Sequence, residues 1–265
     1  MRNPFLLAII LILAATNLHG QTLAVDKTDV FSDDRLILCG EGKPLDVEAV
    51  QGYIRKGLAV VSLGYTESGW TIAMAKGTGY TDQVLHSAAT YPRQWIEQSI
   101  TKGYRITTIA YGNGYWWVVM SKGSPYGMQH IIGTTWSTAT EKIRQFMNNG
   151  EFITACTYSN GRWTVVMSPC SIYTKQVFFT CRNMDQLQSE TKKYFRQGYT
   201  ITNLSVGSDE VLCVMSAIKE DTRWAPEDRA LITPRNFRIE LREFWDQGYH
   251  IVNVCNGSLQ AFSQQ

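Results

Sequence analysis

One glycine-anchored phrase recurs five times along the chain. It reads RKGLAVVSLGYTESGW around Gly57, TKGYRITTIAYGNGYW around Gly103, NNGEFITACTYSNGRW around Gly150, RQGYTITNLSVGSDEV around Gly198 and DQGYHIVNVCNGSLQ around Gly248. The glycines are spaced 46, 47, 48 and 50 residues apart. A period of that length commits most of the chain to one supersecondary unit, repeated.

The unit can be read on both sides of its glycine. Three residues upstream stand Ile54, Ile100, Met147, Phe195 and Trp245, and seven upstream stand Val50, Ile96, Ile143, Thr191 and Leu241. This is the spacing of one helical face, so each glycine ends an amphipathic helix in the left-handed C-terminal position. Pro44, Pro92 and Pro234 suit a first turn, Thr138 with Glu141 reads as a capping box, and Asn183 is a good N-cap. Downstream come two β-rich runs joined by a turn, such as RITTIAY and WWVVMS around Asn113-Gly114, or FITACTY and RWTVVMS around Asn160-Gly161. Asn-Gly between such runs is a strong hairpin signal. A further short run precedes each helix: RLILC at 35, QVLHSA at 83, QHIIGT at 129, QVFFTC at 176 and RALIT at 229. The unit is strand, helix, strand, strand.

The last hairpin runs out at the C-terminus with no strand after it, and the strand at 35–39 has no hairpin ahead of it. The two ends complete each other, and a ring so closed leaves no sheet edge exposed at its seam. The expected fold is α+β, five units closed as a pseudo-fivefold α/β propeller; the alternative is an open layered α+β array, which would need capping repeats. In the second hairpin strands one face carries Trp70, Ile72 and Met74, then Trp116, Val118 and Met120, then Trp163, Val165 and Met167. These belong beneath the helices, while the smaller alternate face is expected to point inward.

MRNPFLLAIILILAATNLHG at the N-terminus carries one early positive charge, an apolar stretch and a small residue at its end, the pattern of a cleaved secretory leader. The apolar stretch is too short for the roughly 20 residues a bilayer core requires. The expected organisation is a signal peptide over 1–20, a short linker over 21–34 and a single five-repeat domain over 35–265, periplasmic or secreted, with no membrane span once the leader is removed. With 25 basic against 23 acidic residues and no run of either sign, the chain lacks the footprint of a nucleic-acid binder. In an oxidising compartment its six cysteines permit disulfides. Cys170 and Cys181 look placed to bridge, and Cys156, Cys213 and Cys255 sit in apolar runs as buried hydrophobes.

GTGYTDQV at 77–84, YPRQWI at 91–96, GYRIT at 103–107, GYWWVVMS at 114–121 and the terminal LQAF at 259–262 resemble the repeat domain in the C-terminal part of plant casein-kinase-like protein kinases, which has stand-alone relatives in bacteria. The resemblance spans about residues 43–265 and is most specific in the first three units. The fourth unit departs, with Ser208-Asp209-Glu210 at the turn and Val211 in place of the tryptophan. It implies a repeated β-rich module without kinase activity and brings no catalytic residues. The order of elements also compares with the fivefold propellers of guanidine-modifying enzymes, in architecture alone.

No CxxC pair or His/Cys cluster at metal-ligand spacing is present in the sequence, so neither metal nor cofactor is expected. One polar pattern recurs at the entry to the strand before each helix: Tyr80 with Gln83, Tyr126 with Gln129 and Tyr173 with Gln176, with Arg35 and Arg229 in the glutamine's place in the other two units. These eight residues are the candidate ligand site, a belt of three amides and two guanidiniums beside Asp34 and Asp228. The competing structural reading is that each side chain satisfies backbone groups where the loop enters the sheet. Tyr65, Tyr111, Trp117 and Tyr158 form a second candidate, a stacking platform for sugars.

Repetition spreads similar residues over five units, whereas catalysis needs one unlike constellation. The leading expectation is therefore an exported non-enzymatic binding or protein-interaction module, its partner a small molecule, glycan or protein. The first alternative is a cysteine-dependent hydrolase or guanidine-modifying enzyme using Cys39 or Cys255 with His86 or His250. The second is a structural envelope or surface protein.

Overall fold

The computed structural model describes residues 7–13, 28–32, 35–41, 46–66, 69–219, 229–232 and 249–256, with the side chains of 46–65 and of 69–219 except Met184. Within these the fold is mixed α/β, built from four helices, four small antiparallel sheets and one further three-stranded sheet, none of which closes on itself.

The first unit comprises β3 (Arg35–Glu41), α1 (Val47–Arg55), β4 (Ala59–Thr66) and β5 (Gly69–Ala75). The second comprises β6 (Asp82–Ala88), α2 (Arg93–Thr101), β7 (Arg105–Gly112) and β8 (Tyr115–Lys122). The third has β9 (His130–Thr134), α3 (Trp136–Asn148), β10 (Phe152–Ser159) and β11 (Arg162–Ser168). The fourth has β12 (Tyr173–Cys181), α4 (Met184–Phe195), β13 (Tyr199–Val206) and β14 (Val211–Ile218). Strand, helix, strand, strand therefore holds in each, and the second hairpin strand is always central, between the strand before the helix and the strand after it.

The glycine signals act as expected. Gly57, Gly103, Gly150 and Gly198 end their helices at φ of 87°, 88°, 81° and 84°, a conformation in which a Cβ is penalised. Asn113 and Gly114, then Asn160 and Gly161, take positive φ together, the tight turn whose twist matches that of a hairpin. The helix starts differ in part. Asn183 caps α4 by accepting from the Gln186 N–H at 2.8 Å, but Pro92 is itself the N-cap of α2. The capping box at Thr138 does not form, because α3 already begins at Trp136. The indole of Trp136 packs 5.4 Å from that of Trp163, drawing an extra turn into the helix. Pro44 and Pro234 lie outside the described residues.

Each helix lays its stripe on the large-residue face of its own sheet: Val50 over Trp70, Ile72 and Met74, and Ile143 over Trp163, Val165 and Met167. The alternate faces of the second, third and fourth sheets cover the core of the preceding unit. Trp117 and Val119 close over Trp70, Ala155 and Val166 join Ile96 and Val118, and Leu212 and Val214 join Ile143. The inward position expected for that face is thus an interface between successive sheets. It accommodates a tryptophan at 117 because the facing residue in the preceding unit, Trp70, meets it tilted at 5.7 Å.

The strands that follow the helices form the inner layer. β4 lies beside β7, β7 beside β10, and β10 beside β13. β13 in turn lies beside β16 (Tyr249–Asn256), and β16 beside β4. Each of the five skips one residue in its pairing, between Val60 and Ser62, Ile106 and Thr108, Ile153 and Ala155, Ile201 and Asn203, and Ile251 and Asn253. A bulge at one place in all five strands re-aims the backbone there.

The N-terminal region is used in two places. β3 pairs with β5 inside the first unit, and Thr28–Ser32, which the sequence assigns to the linker, pairs with β3 as β2. Leu7–Leu13 (β1), in the stretch read as a leader, lies parallel between β15 (Arg229–Ile232) and β16. The strand joining the last unit is therefore β1, and 35–39 serves its own unit.

Cys170 and Cys181 do not form the expected disulfide. Both are reduced thiols, and Cys181 closes the nine-residue extended strand β12, which begins at Tyr173 just after Cys170. That length is on the order of 30 Å, against the roughly 7 Å limit for a bridge.

Candidate functional site

The polar belt is built around the bulges. Gln83 on β6 reaches back to the preceding unit, where its Oε1 accepts from the Val60 N–H at 2.7 Å and its Nε2 donates to the Val60 carbonyl at 3.0 Å. Gln129 does the same for Ile106, at 2.7 and 2.8 Å, and Gln176 for Ile153, at 2.7 and 3.0 Å. The bulge turns two backbone groups out of the ladder, and one carboxamide, which carries an acceptor and two donors, satisfies both. The second amide hydrogen of Gln83 goes to the Ser121 hydroxyl and that of Gln176 to Ser216, both at 2.9 Å. Those serines meet Thr107 and Thr202, the bulge residues themselves.

The three tyrosines of the belt converge. Tyr126 and Tyr173 hydrogen-bond through their hydroxyls, and Tyr173 also meets Thr202. Burial first, then the neighbouring Tyr173, Tyr80 and Cys170, pushes the Tyr126 phenol well above its usual range. Burial likewise raises Tyr173. These hydroxyls stay protonated and serve as hydrogen-bond links. Arg35 and Arg229 hold their register positions opposite Ala75 and Ala8, and Asp34 and Asp228 lie outside the described residues.

A small cavity opens in the inner layer, lined by one triplet from each of four strands: Leu63-Gly64-Tyr65, Ile109-Ala110-Tyr111, Cys156-Thr157-Tyr158 and Leu204-Ser205-Val206. These triplets follow the bulges and lead to the hairpin turns, so the cavity lies toward the turn end of the inner strands, away from the glutamines. Its volume is about 60 Å³, well under the ~150 Å³ that admits a benzene. Tyr65, Tyr111 and Tyr158 each lean on the tryptophan opposite in their own hairpin, at 5.1, 5.1 and 5.2 Å. Trp117, grouped with them on sequence, is buried between sheets instead. Thr157 Oγ accepts from the Tyr111 N–H at 3.2 Å, and the Asn160 amide donates to the Tyr111 hydroxyl at 3.2 Å, tying the second unit to the third.

The titratable groups have packing roles. Burial pushes the Cys156 thiol in the cavity wall up to about 12, so it is not a nucleophile at neutral pH. His86 stacks on Trp95 at 4.9 Å, as Phe179 stacks on Tyr194 at 5.6 Å. His130 stacks on Phe146 and shares a 2.9 Å hydrogen bond with the buried Glu151. Cys39, Cys255 and His250 are fixed only as members of β3 and β16. Among the described residues there is no group of three or more His, Cys, Asp or Glu able to hold a metal ion, and no helix long and apolar enough to cross a membrane.

Sequence reasoning found the glutamines but not their partners. The legible signal was a constant offset: Val60 to Gln83, Ile106 to Gln129 and Ile153 to Gln176 are each 23 residues.

Units of this kind, each sheet covering its predecessor's core and each glutamine stapling its predecessor's bulge, define a β-rich repeat module. The chain belongs to the family described as a domain of unknown function (DUF7477), whose model matches residues 45–261. Comparison with curated proteins found no match.

Proposed function

We propose that the chain is an exported, non-enzymatic protein-interaction module, periplasmic or secreted, whose five units close as a pseudo-fivefold α/β propeller. The order of the inner strands supports closure, since β16 lies against both β13 and β4. The leader-like composition of residues 1–20 supports export.

The observation that carries the interaction reading is the turn-end cavity. It is made by equivalent positions of four units, is lined by the half-buried Tyr65, Tyr111 and Tyr158, and exposes a mainly polar surface. Size decides between ligand classes: about 60 Å³ is too small for a sugar ring or a drug-sized molecule and fits a short side chain projecting from a protein surface. The elevated Cys156 thiol weighs against thiolate catalysis at this place.

The test is site-specific photocrosslinking in the native host, with the photoreactive residue at Tyr111 or Tyr158 and at the exposed Lys142 as control. A discrete protein adduct from the tyrosine positions, absent from the control, is the expected result. Equal labelling from all three positions, or none from the tyrosines, overturns it. N-terminal sequencing of the exported protein checks the leader, with Gln21 expected first; cleavage there removes β1 from between β15 and β16.

A further inference from the structure

The strand before each helix lies at the outer side of its sheet, and in the first unit the edge it presents is filled. β2 runs antiparallel along β3, with Asp29 opposite Ile37. The corresponding strands β6, β9 and β12 each end their sheet. In the third unit the two-residue turn makes Ser159 and Arg162 a hydrogen-bonded pair, and alternation along β11 does the same for Thr157 with Thr164 and Ala155 with Val166. Trp163, Val165 and Met167 are left to bond Thr134, Ile132 and His130 of β9. Ile131 and Gly133 therefore turn their backbone groups away from the sheet. Ile131 faces Val166 as Ile37 faces Ala73, so it holds the position at which β3 receives β2.

An unpaired edge is a template for another strand unless charge or covering blocks it. β6 opens on the exposed Asp82, and β12 carries the exposed Lys175. Their counterparts of Ile131, which are Leu85 and Phe178, pack on the core of the preceding unit. β9 has neither protection. Residues 128–134 contain no Asp, Glu, Lys or Arg. Ile131 is 37 % exposed, and Met128, just ahead of the strand, is 71 % exposed. At the far end the Arg162 guanidinium donates to the Gly133 carbonyl at 2.8 Å, which bounds the open stretch there.

We propose that the outer edge of β9 is a self-association surface, on which β9 of a second copy pairs antiparallel about a two-fold axis at Ile131. A hydrogen-bonded antiparallel pair exchanges two bonds between two residues. Ile131 can therefore be its own partner, each copy donating its N–H to the carbonyl of the other. Such an interface is isologous and closes at two copies. The two isoleucine side chains share one face of the joined sheet, and Met128 lies opposite Thr134 of the second copy. An uncharged edge meets itself without burying a charge. β9 is only five residues long, so the interface is small and the dimer weak. The surface belongs to the outer strand of the third unit and not to the inner strands that line the tyrosine cavity. It stands apart from the interaction reading, and crosslinking at Tyr111 does not report on it.

The experiment is sedimentation equilibrium of the purified protein over about 5 to 500 μM, where a reversible monomer–dimer equilibrium with a dissociation constant on the order of 100 μM is expected of so small an interface. Ile131→Pro removes an N–H that the sheet does not use, as edge strands permit. Ile131→Lys charges the edge and keeps the backbone intact, and it carries the test if proline unfolds the sheet. Both variants should stay monomeric throughout, whereas Tyr115→Lys, at an exposed aromatic elsewhere, should dimerise as the parent does. A short thiol-to-thiol crosslinker reports the register: it should join two Ile131→Cys chains and not two Tyr115→Cys chains. A parent that is monomeric at every concentration overturns the proposal and leaves the edge to a strand of a different protein. A dimer that persists in Ile131→Lys, or one that the crosslinker cannot join through Ile131→Cys, overturns it as well.

Discussion

The carboxamide of Gln83 holds both backbone groups of Val60, a residue 23 positions earlier in the neighbouring unit, at 2.7 and 3.0 Å. The side chain of one unit thus completes the main chain of the one before it. Gln83→Leu would leave a buried N–H and carbonyl unsatisfied and should cost about 3 kcal/mol in denaturant titration. Gln176→Leu should match it, since Gln176 makes the same three bonds. A loss under 1 kcal/mol in both would mean that the bulge is satisfied by water.

Alkaline pH should unfold the protein early. Burial raises Cys156 from 9.0 to about 12 and, with the Glu190 charge, Cys181 to about 11. A raised folded value means that the native state holds its proton longer, so the stabilisation is complete below pH 9 and is lost as pH climbs from there toward the folded values. Unfolding free energy should therefore fall steeply above about pH 9, less so in Cys156→Val. The same thiols should resist a thiol reagent at pH 8 until denaturant is added.

Tyr91 buries a hydroxyl with no hydrogen-bond partner among the described residues, and burial pushes that phenol up to about 12. Its ring meets Trp116 edge-on at 5.1 Å, a contact that phenylalanine keeps. Tyr91→Phe should therefore leave stability unchanged or raise it by up to about 1 kcal/mol, measured by thermal melting. A loss greater than that would reveal a partner for the hydroxyl.

Gly112 lies so close to Tyr65 of the preceding unit that any added Cβ would collide with the Tyr65 side chain. Gly112→Ala should destabilise by roughly 1–3 kcal/mol, and Tyr65→Gly, which removes the Cβ as well as the ring, should relieve most of that cost. A double-mutant cycle over the pair measures the contact between the first two sheets; additive losses would place the two residues apart.

What could be read from the chain follows from the range of each interaction. Helix ends and hairpins were legible because Gly103 or Asn113-Gly114 determine their own backbone angles. The bulges were not, since a skipped residue at Thr107 is a property of how β7 pairs with β8 and leaves no local mark. The glutamines could be seen to recur, but their partners lie across a unit boundary, and the tyrosine cavity exists only where four inner strands meet. Cys170 and Cys181 misled because nearness in sequence means distance along an extended strand. The start of α3 was misplaced because Trp136, two residues upstream of the supposed cap, is drawn into the helix by a tertiary contact.

The staples also bear on how such a gene can change. In a linear array of self-sufficient repeats, recombination can remove one copy and leave a shorter working protein. Here the loss of the third unit would bring Gln176 against Ile106, an equivalent partner, and yet, in the closed ring proposed above, leave one fewer sheet to span the circuit of inner strands. Each joint would tolerate the deletion while the circuit as a whole would not. The number of copies is therefore held by geometry, and variation is channelled into substitutions within units, the kind that separates Arg35 from Gln83.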